Sequence, residues 1–213
     1  MRIGLFGLPG AGKGTQAGRI AKHFSIPHIG TGDIFREMQK GESKLALELR
    51  SILSSGQLVP DDMVTRITFE RLRNDDCRSG FLLDGYPRTL AQAQALDHSE
   101  FALEVLLSID VEKSEIVRRL SERRVCKSCN SVYSAESFDS QLCPKDGGLL
   151  IQREDDKAEA VSTRLMVFEK NQMPVVSFFE SKGILHHIDG NGSEDEVFAR
   201  TLKVIEKSVR SGG

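Results

Sequence analysis

The stretch Gly7-Leu8-Pro9-Gly10-Ala11-Gly12-Lys13-Gly14-Thr15 stands between a short apolar run, Ile3 to Phe6, and a segment of helical period. Its glycines let the backbone curl so that successive N–H groups face inward. The start of the following helix adds partial positive charge, and Lys13 can reach outward. These are the means of gripping the phosphates of a nucleotide, and strand, glycine loop and helix in that order read as a P-loop. A glycine-rich turn without a ligand would require spacing and setting both to be coincidence. Gly14 occupies the position where most P-loops carry the Ser or Thr that holds magnesium, so either Thr15 serves instead or the ion is held through water.

Further along, Asp84 ends the apolar run Phe81-Leu82-Leu83, where a cation on the phosphates would need an oxygen partner. Strands often end in Asp, so this signal is weak alone. Arg88 follows the pair Tyr86-Pro87, whose peptide bond is expected to be cis, and its planar fork suits a phosphate. One helical turn on, the amide of Gln92 can both donate to and accept from the edge of an adenine, though taken alone it reads as an ordinary exposed helix residue. Arg119 and Arg123 share a helix face, Arg124 comes next, and Arg153 precedes a helix whose stripe is Val161, Leu165 and Phe168. Arg164 falls on that stripe, and a charge on an inward face calls for a partner, here a phosphate.

Cys126, Cys129 and Cys143 crowd together, and Asp146 follows the third at a short spacing. Two close ligand pairs from two turns complete a tetrahedron around zinc, and four protein ligands leave no open position for catalysis, so such an ion is structural. The alternatives are a redox Cys-x-x-Cys pair or unligated thiols. Cys77, with no basic partner identifiable near it, reads as a buried or idle thiol. His186 and His187 adjoin on a predicted strand and face opposite ways, which weakens a chelating role.

These groups need a scaffold. Apolar runs at Ile3 to Phe6, Phe81 to Asp84, Val105 to Asp110 and Ile184 to Ile188, with a weaker one at Pro27 to Ile29, alternate with helical segments. That pattern predicts an α/β fold: a five-stranded parallel sheet with helices on both faces. Ser193 and Glu196 are spaced as a capping box for the last helix. Residues 30 to 59, helical after a Gly-Thr-Gly-Asp turn, and residues 122 to 157, rich in Cys, Ser, Gly and Asp, interrupt the alternation and read as insertions. The core is then 1–29, 60–121 and 158–213. A net charge of −2 gives no global positive field, which argues against a protein whose main task is gripping nucleic acid. The N-terminus turns glycine-rich too early for a signal sequence, and no apolar segment approaches membrane-spanning length, so a cytoplasmic location is expected.

The opening GxPGxGKGTQ, which includes Gln16, resembles that of the nucleoside monophosphate kinases, adenylate kinase above all, and Asp84-Gly85-Tyr86-Pro87-Arg88 resembles their DGxPR segment. The likeness spans almost the whole chain. It implies reversible transfer of a phosphoryl group from MgATP to AMP, giving two ADP, by a monomer. On the ATP side it implies contacts from Gly10, Ala11, Gly12, Lys13, Gly14 and Thr15, from Arg119 and Arg123, from Val132 and Tyr133, and from the backbones of Gly190 and Gly192. On the AMP side it implies Thr31 and Arg36 in a monophosphate arm, the backbones of Gln57, Leu58 and Val59, then Gly85, Tyr86, Pro87, Arg88 and Gln92, with Arg153 and Arg164. Lys13, Arg88, Arg123, Arg153 and Arg164 would clamp the migrating group, with Asp84 at the magnesium. No general base is required, because the accepting phosphate oxygen is already anionic.

Residues 122 to 157 resemble a lid, of the bacterial type that carries three cysteines and one aspartate on zinc. Asp155 and Asp156 match the lid hinge, where such residues engage the ATP-side arginines; an ordinary capping pair, Asp156 with Glu159, is the alternative. Gly30 stands where many relatives carry Ser, and Gly192 where they often carry Lys. Two other functions remain open: a UMP or CMP kinase, and a nucleic-acid-binding zinc ribbon with an ATP-sensing P-loop.

Overall fold

The computed structural model describes residues 1–38, 41–42, 44–54, 59–135, 140–153 and 156–211. Strands β1 (Arg2–Phe6), β2 (His28–Gly30), β3 (Phe81–Asp84), β4 (Val105–Asp110) and β8 (Leu185–Asp189) form one sheet in the order β2-β3-β1-β4-β8, and every pairing in it is parallel. The inner strands are continuously apolar because both faces are covered. Alternate side chains feed two cores. Ile3, Leu5, Leu107 and Ile109 pack with α1 (Lys13–Phe24), α6 (Lys113–Glu122) and α8 (Glu194–Ser211). Phe6, Leu83 and Leu106 pack with α4 (Asp61–Leu72), α5 (Leu90–Asp97) and α7 (Ala158–Ser181).

The expected five-stranded parallel sheet is therefore present, with strand ends as expected at β3 and β4 and one residue off in the other three. One local reading needs correction. Thr31 is not in a turn: α2 (Thr31–Met38) follows β2 at once, with Asp33 in its first turn where the helix dipole favours a carboxylate. From α2, Ile34 and Phe35 join Leu49 of α3 (Lys44–Ser54) against Met63 and Ile67 of α4. The cysteine-rich stretch, read from the sequence as an insertion, holds a second sheet. There β5 (Arg123–Cys126) pairs antiparallel with β6 (Val132–Ser134) and β7 (Leu150–Ile151).

From β1 the chain crosses to β2 at one edge, then returns through β3 and passes across β1 to β4 and β8, so the direction of winding reverses about β1. Such a switch point opens a crevice beyond the carboxyl ends of the strands. The register sets Leu5 beside Asp84, so the glycine loop after β1 and the carboxylate ending β3 share that crevice.

Candidate active site

The loop after β1 turns through Gly10 and Gly12, whose φ angles of 89° and 91° favour glycine. Gly12 then caps α1, and the first turn, Lys13-Gly14-Thr15-Gln16, carries no acidic residue to occupy the positive end of the helix. Lys13 folds back and donates from Nζ to the carbonyls of Gly7 and Leu8, each at 2.8 Å. Its ammonium is pushed down to about 8, chiefly because the surrounding protein strips it of water. The carboxylate of Asp84 opposes that shift, and the guanidiniums of Arg88, Arg164 and Arg123 add to it. The charges of cations from three distant parts of the chain thus act on one lysine, an arrangement that calls for an anion.

Desolvation works against ionisation of Asp84, but His28 and Lys13 outweigh it and hold the carboxyl below the ordinary range. His28 Nε2 lies 3.5 Å from Asp84 Oδ2. A Cβ built at Gly14 would lie 4.0 Å from that same oxygen, so the position where most P-loops carry a metal-binding hydroxyl does face Asp84. Asp84 therefore suits a magnesium ion on the phosphates, with Gly14 leaving room for its water.

After Asp84 the chain turns at Gly85, with φ 84°, and a Cβ there would sit 2.9 Å from Thr31 Oγ1 and 3.0 Å from Arg88 Nη2. Only glycine fits. Thr31 Oγ1 and Arg88 Nε both donate to the Gly85 carbonyl, at 3.0 and 2.7 Å. The Tyr86-Pro87 bond is cis, as expected. Tyr86 is fully buried and bonds Thr65, so only its backbone can face a ligand, and burial pushes its hydroxyl up to about 12. The Gln92 amide, 3% exposed, accepts from Arg88 N at 2.7 Å and donates to Asp61 Oδ1 at 2.8 Å. Asp61 also takes the hydroxyl of Thr89, which caps α5. One donor and one lone pair of Gln92 remain for a ligand.

On the other side of the crevice Asp156, 2% exposed, joins two arginines. Arg123 grips it through both Nε, at 2.7 Å, and Nη2, and Arg164 Nη1 lies 3.5 Å away. The helix cap is Lys157, and no side chain caps that end, so the capping-pair reading of Asp156 is replaced by an arginine brace. Arg119 donates to Glu115 at 2.7 Å and to the Gly190 carbonyl at 3.2 Å. Arg118 and Arg119 hold Glu115 down to about 2.

The ligand atoms of Cys126, Cys129, Cys143 and Asp146 lie within 4.8 Å of one another and could hold a metal ion. Cys129 Sγ and Cys143 Sγ are 3.7 Å apart. A tetrahedral ion with thiolates at ~2.3 Å sets that edge at ~3.8 Å. Asp146 accepts from Gly148 N at 2.9 Å, the chief cause of a carboxyl held well below the ordinary range. A Cβ on Gly148 would come within 2.7 Å of Cys126 Sγ, so the cradle closes only around glycine.

The sequence model for adenylate kinase matches residues 5–184. The chain belongs to the adenylate kinase family. The curated adenylate kinase of Bacillus licheniformis is 47% identical to it, over 96% of this chain and 98% of the relative. That of Caldanaerobacter subterraneus subsp. tengcongensis is 45% identical over 96% of each, and that of Lysinibacillus sphaericus 45% over 99% and 100%. As a member of the adenylate kinase family the chain is a nucleoside monophosphate kinase, a phosphotransferase.

Of the family's implied site, residues 10–15 lead from the loop after β1 into α1, with Ala11 buried in the core, Thr31 and Arg88 meet at the Gly85 carbonyl, and Arg123 and Arg164 meet at Asp156. Arg153 is half-buried, three residues before Asp156, to which its carbonyl is bonded. Val132 is exposed and Gly192 turns beside Glu196. Val59 packs against α4. Gln57, Leu58 and Asp155 lie outside the described residues, as does the side chain of Arg36. Two contributors to the site escaped the sequence reading, His28 beside Asp84 and Asp61 behind Gln92; away from the site, Arg71 Nη1 lies 3.3 Å from Cys77 Sγ. That last contact corrects the expectation that Cys77 has no basic neighbour. Its burial was foreseen.

Proposed function

We propose that this member of the adenylate kinase family transfers the terminal phosphoryl group of MgATP to AMP, reversibly, giving two ADP. The observation that carries the reading is a glycine loop and an unopposed helix N-terminus set beside Asp84, with the charges of Arg88, Arg123 and Arg164 all acting on Lys13. Phosphoryl transfer asks the protein to align two nucleotides and to stabilise charge on the migrating group, which such a set does. In this reading the loop amides and Lys13 hold the donor phosphates, and Asp84 holds the waters of a magnesium ion that neutralises charge between them. Arg119, Gly192, Val132 and Tyr133 border the donor nucleoside. Arg88 and Arg36 hold the acceptor phosphate, while Gln92, Thr31 and the backbone of 57–59 read the adenine. Arg123, Arg153 and Arg164 span the two.

Water would compete for the phosphoryl group, so residues 122–157 act as a lid that closes over both nucleotides, braced by Asp156 and stapled by zinc on Cys126, Cys129, Cys143 and Asp146. Three thiolates, one carboxylate and a tetrahedral spacing suit zinc, and four protein ligands make it structural. The lid, the arm at 30–59 and the core are the working parts of a cytoplasmic monomer whose partners are ATP, AMP and ADP. Among the described residues no helix is long and apolar enough to cross a membrane. A coupled assay offering AMP, CMP, UMP and GMP separately tests the reading. Turnover with AMP should far exceed the rest, and faster turnover with CMP or UMP would refute it.

A further inference from the structure

Three thiolates and a carboxylate around a dication leave surplus negative charge, and in a small module that charge must be met by donors in the next shell. Each of the four ligands has one. Cys126 Sγ receives the backbone N–H groups of Ser128 and Cys129, both at 3.4 Å, and Asp146 receives that of Gly148. The other two sulfurs are met by side chains: Ser131 Oγ lies 3.1 Å from Cys129 Sγ, and Tyr133 Oη 3.2 Å from Cys143 Sγ.

Ser131 and Tyr133 are two apart along an extended segment and therefore share a face, while Val132 between them points the other way and is 51% exposed. In the free thiols Cys129 Sγ donates to Ser131 Oγ, while between Tyr133 and Cys143 either partner could give the proton. Once a metal has displaced the thiol protons, only the hydroxyls can donate. We infer that Ser131 and Tyr133 are positioning residues of the metal centre, whose hydroxyls donate to the thiolates of Cys129 and Cys143 and so tie strand β6 to the ion. The Tyr133 hydroxyl is thereby turned toward sulfur. Because β6 pairs with β5 in the register Arg124↔Tyr133 and Arg123↔Ser134, the same two bonds hold the strand that carries Arg123.

The inference rests on the zinc reading, and one experiment separates the two. Wild-type protein, Tyr133→Phe and Ser131→Ala are stripped of metal, then titrated with zinc against a chromophoric chelator and with cobalt to read the sulfur-to-metal charge-transfer band. Tyr133→Phe should bind zinc about tenfold more weakly, Ser131→Ala by a similar factor, and both should shift the cobalt band, as loss of an outer-shell donor does. The metal-free forms should melt together, since the phenylalanine ring keeps the packing. Wild-type affinity and band in both variants would overturn the role of the hydroxyls while leaving the metal centre standing. Failure of the wild type to bind either metal would overturn the zinc reading, and this inference with it.

Discussion

The crevice at the strand ends and the cysteine module are built by opposite means. Around the crevice, backbone position comes from burial: Leu82, Leu83, Leu106 and Leu107 are fully buried, each such side chain contributing ~1.5–3 kcal/mol, and the functional groups hang from the ends of those strands. The sheet can hold like charges together because it is stable without them. The module has a small core, Cys126, Cys143 and Leu150, and Leu142, Leu149 and Ile151 stay at least a third exposed. Its strands are two to four residues long. What burial does for the first region, ligation must do for the second.

Changes in the two regions should therefore separate activity from stability. The largest effect is expected from Arg88→Ala. This side chain is exposed and its Nε donates to the Gly85 carbonyl at 2.7 Å, so turnover should fall by roughly two to three orders of magnitude with far less effect on the melting temperature. Steady-state kinetics beside calorimetry checks it, and near-normal activity would contradict the assignment. Zinc removal, or Gly148→Ala, should do the reverse, lowering the melting temperature by more than it lowers the rate at moderate temperature.

Asp156→Asn sits where the regions meet. Removing one charge from a buried pair leaves Arg123 and Arg164 without their brace, an effect of about 3–5 kcal/mol in comparable sites, so both melting temperature and turnover should drop. A loss confined to one readout would show that the brace does not link them. The smallest effect concerns protons. The free-state Lys13 loses its proton as pH rises through about 8, and bound polyphosphate should raise that value and keep the lysine charged. ATP binding near pH ~8.5 should then take up part of a proton, seen as a binding enthalpy that varies with the ionisation enthalpy of the buffer. No variation would contradict the low value.

How much could be read beforehand follows the same division. Strands buried on both faces print long apolar runs, so β1, β3 and β4 were legible almost to the residue. The strands of the module were not, because nothing apolar repeats over so few residues, and their order is set by turns and ligands. The glycine loop and the cysteine cluster are local in sequence and could be seen. His28 with Asp84 depends on β2 lying next to β3, and Asp61 with Gln92 on how α4 meets α5, neither of which any spacing announces. Asp156 was visible with two meanings, and burial between Arg123 and Arg164 decides for the brace.

The decisive measurement is a crystal structure with a bisubstrate dinucleotide, two adenosines joined by a polyphosphate chain. The phosphates should lie along the loop amides and Lys13, with the guanidiniums of Arg88, Arg123 and Arg164 turned onto them within hydrogen-bonding distance. Guanidiniums directed away from the bound chain, or a ligand seated outside the crevice, would contradict the proposal that these cations hold two nucleotides end to end.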